Sequence, residues 1–159
     1  MTTLTYGQVM SMLLNELKNS SKLRYVPNVA IIQTTVTDKD VLPTFTNYLI
    51  RLCPPDSGFM VKQPRIGRYS RNTYVISIEL WIKSGSSLAN RLTKGNFSAQ
   101  KGLYEFFADV SGILEHNTFN GQLDPYPGTQ ITVPANINTD DKLTIGMSFL
   151  WYGNQDSIL

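Results

Sequence analysis

The stretch NTYVISIELWIK, residues 72–83, decides the fold. Tyr74, Ile76, Ile78, Leu80 and Ile82 take alternate positions, with Val75, Ser77, Glu79, Trp81 and Lys83 between them. Side chains of a strand alternate between faces, so one face of this segment is apolar and the other mixed. The apolar face belongs to a core, and Trp81 on the mixed face is either exposed or covered by a partner. Residues 142–152 repeat the pattern, with Leu143, Ile145, Met147, Phe149 and Trp151 on one side and Thr144, Gly146, Ser148, Leu150 and Tyr152 on the other.

Working outward from these two strands, residues 29–36 are β-branched and residues 42–52 carry Phe45, Tyr48, Leu49, Ile50 and Leu52. Both segments read as strands. Pro54 and Pro55 stop the second, because proline removes a ladder donor and fixes the backbone. Ile131 and Val133 open a further strand that Pro134 confines to an edge. It follows a Gly-, Asp- and Pro-rich loop at 120–128, and residues 136–141 form the turn into the last strand.

Two helices complete the pattern. Thr5 and Gln8 have the spacing of a capping box, and Val9, Met10, Leu13, Leu14 and Leu17 follow at helical intervals over about residues 6–18. Ala99, Leu103, Phe106, Phe107, Val110, Ile113 and Leu114 form the stripe of a helix over about residues 97–116. Gly102 and Gly112 each weaken that helix by about 1 kcal/mol relative to alanine, and close packing against a sheet is the expected reason. Ser86 or Ser87 caps a short helical piece ending near residues 94–96. The expectation is one α+β domain over residues 1–159. It has a single, mostly antiparallel sheet of about 4–5 strands with both main helices on one face.

Composition narrows the function. Of 159 residues 42% are hydrophobic, enough for a core, while only 16% are charged against about 25% in an ordinary soluble domain. Ser, Thr and Asn together number 40 and supply the missing polarity. Such a surface repels its neighbours weakly and is cheap to desolvate, as suits a protein packed against others. No apolar window approaches the ~20 residues of a membrane span, and the N-terminal residues lack the basic start and apolar run of a secretory signal.

The residues offer no catalytic or cofactor constellation. Cys53 is the single cysteine and His116 the single histidine, short of the about four ligands of a zinc site. Cys53 lacks an activating motif and reads as a buried structural thiol. His116, near the end of the second helix, has no nucleophile or orienting group beside it in sequence. Glu105 and Asp109 share a helix face, as any solvated helix offers. No Gly-rich phosphate loop is present. No catalytic residue, metal or cofactor is accordingly expected.

Charge placement is more informative. Residues 1–104 hold 13 basic and 5 acidic groups, a net of +8, and residues 105–159 hold 1 and 7, a net of −6. Lys62, Arg65, Arg68 and Arg71 recur about every three residues between two strands. They read either as solvated loop charges that keep edge strands apart or as a patch facing a negative partner. That partner is DNA phosphate or the acidic set Asp124, Asp140 and Asp141 of a neighbouring copy. Unlike patches on different parts of one surface make head-to-tail contacts that close into rings.

The N-terminal amphipathic helix, the alternating Tyr74-Val75-Ile76-Ser77-Ile78-Glu79-Leu80 run, the helix carrying Leu103, Phe106, Phe107, Val110, Ile113 and Leu114, and the final Phe149-Leu150-Trp151-Tyr152 together resemble the tail terminator (tail completion) proteins of long-tailed bacteriophages. The resemblance covers most of the chain in element order and size. It implies an α+β subunit without enzymatic activity that forms a hexameric ring in the virion tail or neck after synthesis in the host cytoplasm. Such a ring caps the tail tube protein, presents a surface to the head-completion (neck) protein and encloses DNA in its lumen. Another phage neck or baseplate component, or a small nucleic-acid-binding module using the loop at 62–71, are the alternatives.

Overall fold

A computed structural model describes residues 4–34, 42–53, 60–62, 69–70, 72–83, 101–125, 130–132, 142–153 and 156–157. Among these residues two α-helices, α1 (Tyr6–Asn19) and α2 (Leu103–Leu114), accompany nine strands. These are β1 (Ile31–Gln33), β2 (Tyr48–Cys53), β3 (Met60–Lys62), β4 (Tyr69–Ser70), β5 (Asn72–Lys83), β6 (Leu123–Pro125), β7 (Gln130–Thr132), β8 (Lys142–Gly153) and β9 (Asp156–Ser157). The main sheet runs β1-β2-β5-β8-β6, with β3 also on β5 and β7 also on β8, while β4 and β9 form a separate two-stranded ladder. Among the described pairings only β1 with β2 is parallel, and the 14 residues between them match the dozen or more that a parallel return requires. The fold is α+β, as the alternation predicts.

The two 12-residue strands β5 and β8 pair along eleven positions, from Thr73↔Tyr152 to Lys83↔Lys142. This register puts Tyr74, Ile76, Ile78, Leu80 and Ile82 opposite Trp151, Phe149, Met147, Ile145 and Leu143, all of them buried. Residues opposite one another share a face, so the two apolar rows merge into one surface. Both helices lie on it. Val9, Met10, Leu13 and Leu17 of α1 and Leu103, Phe106, Val110 and Leu114 of α2 are fully buried in the same core, each contributing roughly 1.5–3 kcal/mol by leaving water.

Strand β2 is buried at all six positions. Its place between β1 and β5 explains this: Tyr48, Ile50 and Leu52 extend the helix-side face, while Leu49, Arg51 and Cys53 extend the other. Tyr25, Tyr48 and Phe106 meet edge to face, with centroids 4.9 to 6.0 Å apart, the arrangement that ring quadrupoles favour.

Each central strand pairs with two successive strands along its outer edge. On β5, β2 pairs as far as Cys53↔Ser77 and β3 takes over at Met60↔Tyr74. On β8, β6 pairs as far as Pro125↔Trp151 and β7 takes over at Gln130↔Ser148. The Tyr6 hydroxyl of α1 donates to the Val75 carbonyl at 3.0 Å. Nearby, Tyr74 donates to the Leu4 carbonyl at 2.6 Å. A Cβ at Gly153 would stand 3.3 Å from the Tyr74 ring, so the last residue of β8 is small where that ring packs.

Local details depart from expectation. The capping box is present, with Gln8 N–H donating to Thr5 Oγ1 and Thr5 N–H to Gln8 Oε1. The second helix is shorter than 97–116, since Gly102 is its N-cap. Gly112 is exposed, and among the described residues a Cβ there would meet only Lys22 Nζ, at 3.4 Å, so close approach to the described strands does not explain this glycine. The first strand shortens to Ile31–Gln33 because residues 28–30 form a 3₁₀ turn. The helical piece expected near 86–96 and the turn at 136–141 lie outside the described residues.

Candidate functional site

Of the charged residues singled out in the sequence, Lys62 and Asp124 are placed, on the two flanks of one sheet end. Val61, Thr73, Tyr152 and Asp124 form a single row across β3, β5, β8 and β6. Lys62 follows Val61 and pairs with Asn72 at the end of β3. Three strand spacings separate the flanks, about 14 Å between backbones. Asp124 is exposed. The sheet thus carries a cation position on its β3 flank and an anion position on its β6 flank, at the same end. Arg65, Arg68, Arg71, Asp140 and Asp141 lie outside the described residues.

At the opposite end, Lys83 of β5 pairs with Lys142 of β8. Like charges directly opposite are unfavourable in a ladder, and Lys142 Nζ sits 5.9 Å from the Phe45 ring centroid, where the ring's negative face attracts it.

Away from the helices, the second sheet face is polar at its centre. Arg51, only 3% exposed, donates to Glu79 Oε2 through Nε at 2.9 Å and through Nη2 as well. Trp81 Nε1 adds a third donor to the same oxygen at 3.1 Å. Arg51 and Glu79 are direct cross-strand partners, so register alone brings them together. Trp81 is half-buried against the core. One row on, the Ser77 and Ser148 hydroxyls lie 3.4 Å apart. Thr73 and Thr144 hold buried hydroxyls with no hydrogen-bond partner.

A polar cluster that the sequence conceals ties α2 to the segment after α1. Asp109 accepts from the Tyr25 hydroxyl and from Lys101 Nζ, both at 2.7 Å. Lys101 Nζ also lies over the Tyr25 ring, 4.8 Å from its centroid, and its carbonyl accepts from Tyr48 at 2.7 Å. Burial first, then the Asp109 carboxylate, pushes the Tyr25 phenol well above its ordinary value. Burial likewise raises Tyr48 and Tyr6, the latter helped by Cys53. These phenols stay protonated and act as donors. Glu105, in contrast, is exposed, and its charge adds a smaller push upward on Tyr25 and Tyr48.

The residues tested for chemistry are scattered. Cys53 is buried in β2. His116 lies just past α2 with φ 62°, largely exposed, its Nε2 3.8 Å from Glu115 Oε1. Among the described residues no group of three or more His, Cys, Asp or Glu is placed to hold a metal ion, and no helix is long and apolar enough to cross a membrane. A groove of about 130 Å³ beside β1 is lined by Val29, Ile32, Phe45 and Leu49 among others and contains no titratable group. Set against models of known families and against curated proteins, the chain matches no family model and no curated protein.

Proposed function

We propose that the protein is a structural subunit of a phage virion, a tail terminator (tail completion) protein. Its copies close into a ring that caps the tail tube and joins it to the head connector. The observation that carries the reading is the unlike charge on opposite flanks of one sheet end, Lys62 in β3 and Asp124 in β6. A patch and its complement on different sides of one subunit make a heterologous contact, and heterologous contacts close when the rotation permits. The α+β layering, with both helices on one face, supports the same reading, as does the low charge density of the chain. The ring acts through geometry, one face complementary to the tube end and the other to the neck.

Charge reversal tests the contact. Wild-type protein measured by gel filtration with light scattering forms the closed oligomer. Lys62→Glu and Asp124→Lys each shift it toward monomer, and the double variant recovers association because the pair is restored in the opposite sense. A single exposed ion pair is worth only about 0–1 kcal/mol, but a ring repeats it at every interface. A wild-type monomer at all salt and protein concentrations would sink the proposal. Steeply salt-dependent DNA binding by that monomer would favour the nucleic-acid module instead.

A further inference from the structure

The segment joining α2 to β6 turns on an unusual run of left-handed residues: His116, Phe119, Asn120 and Gly121 have φ of 62°, 49°, 59° and 80°. Residues Phe119 to Gln122 close a tight turn, with Gln122 N–H donating to the Phe119 carbonyl at 3.3 Å. Asn-Gly is the dipeptide such a turn prefers, because both central residues need positive φ. This is also the one Asn-Gly pair in the chain.

Two asparagines three residues apart have opposite fates here. Asn117 is braced on every side. Its Nδ2 donates to the Ile113 carbonyl at 3.0 Å and to Glu16 Oε1 at 3.1 Å, and its Oδ1 accepts from Phe119 N–H at 2.8 Å. Its carbonyl accepts from Trp151 Nε1 at 3.0 Å. The residue that follows is β-branched Thr118. Asn120 is exposed and is followed by glycine, the least hindered backbone nitrogen a chain can offer. One contact restrains that nitrogen, a hydrogen bond from Gly121 N–H to Thr118 Oγ1 at 3.3 Å.

We infer that Asn120 is a site of spontaneous succinimide formation and deamidation, gated by the Thr118 hydroxyl. Hydroxide removes the Gly121 amide proton, and the nitrogen attacks Asn120 Cγ. A bond forms between that nitrogen and Cγ, the Cγ–Nδ2 bond breaks, and ammonia leaves with a proton from water. Water then opens the five-membered imide. Attack at the side-chain carbonyl returns aspartate, and attack at the main-chain carbonyl gives isoaspartate with one more backbone carbon. Either product puts a new carboxylate in the turn that leads to Asp124. The gate follows from the first step, since the amide proton cannot leave while it is held on Thr118.

The test is peptide mapping by mass spectrometry of the folded, full-length protein kept in mildly alkaline buffer, with fragmentation that separates aspartate from isoaspartate. Both products accumulate at residue 120 while Asn117 stays intact. Thr118→Val keeps the shape and removes the acceptor, and conversion speeds up about fivefold, the factor for losing one ordinary hydrogen bond. Circular dichroism of the variant checks that the fold persists. An intact Asn120, under conditions that convert the same peptide once released by protease, overturns the assignment. Conversion in Thr118→Val at the wild-type rate overturns the gate.

Discussion

On the helix side of the sheet, Tyr74, Ile76, Ile78 and Leu80 meet Trp151, Phe149, Met147 and Ile145 under two helices, and no charged side chain interrupts them. On the far side the same strands present Thr73, Ser77, Glu79, Thr144 and Ser148, with Arg51 buried among them. The first face is held by area removed from water and by close packing. The second is held by pairings that matter mainly because their absence would be costly. One face sets the fold, and the other, with its flanks, is where stability is traded for specific contacts.

The comparison breaks most visibly at Phe106. This ring is fully buried and meets Tyr25 and Tyr48 edge to face. Phe106→Ala leaves a cavity between helix and sheet, and the expected loss is about 3–5 kcal/mol by denaturant unfolding. A loss under about 1 kcal/mol would mean that the helix side repacks freely.

Next in size is the ion pair. Glu79→Ala leaves the Arg51 charge buried, and because Glu79 is itself a quarter exposed the loss falls at the lower end of about 3–5 kcal/mol. Arg51→Met combined with Glu79→Leu removes both charges and restores stability to near wild type. A double variant as weak as the single one would show that the pair stabilises the fold beyond satisfying itself.

Alkaline titration probes the three phenols held between helices and sheet. Tyr6, Tyr25 and Tyr48 are raised above the ordinary 10.0, chiefly by burial. Below that pH the phenols are protonated in folded and unfolded chains alike. Above it the unfolded chain releases protons that the folded chain keeps, so stability falls as pH rises. Chemical denaturation at several pH values reads the slope, and Tyr25→Phe flattens it.

The smallest effect has the opposite sign. Thr144 is 5% exposed and its hydroxyl has no partner, so Thr144→Val removes an unsatisfied group with little change of shape. A gain of about 0.5–1 kcal/mol is expected, and a loss would point to a bound water at that hydroxyl.

How much of this was legible follows from the same contrast. Strands β5 and β8 could be read almost to the residue because one face of each is apolar and the other is not. β2 blurred into 42–52 because it is buried on both faces, which removes alternation. The short strands β3, β4, β7 and β9 have two or three residues each, too few for any period; β3 and β7 pair with the long strands β5 and β8, while β4 and β9 pair only with each other. Leu123-Asp124-Pro125 carries turn residues and still pairs, as an edge strand tolerates. Arg51 and Glu79 were invisible as a pair until register set them opposite. Asp109 looked like any helix carboxylate until Tyr25, far away in sequence, proved to be its donor. Charge asymmetry was legible from counting alone, but only topology put Lys62 and Asp124 on opposite flanks of one end.

Electron microscopy of purified, open-ended tail tubes mixed with this protein tests the central claim most directly. The proposal predicts a single ring closing one end of each tube, with tube growth stopped there, and fewer capped tubes with a protein carrying Lys62→Glu alone. Tubes that stay open and keep growing in saturating wild-type protein would contradict it.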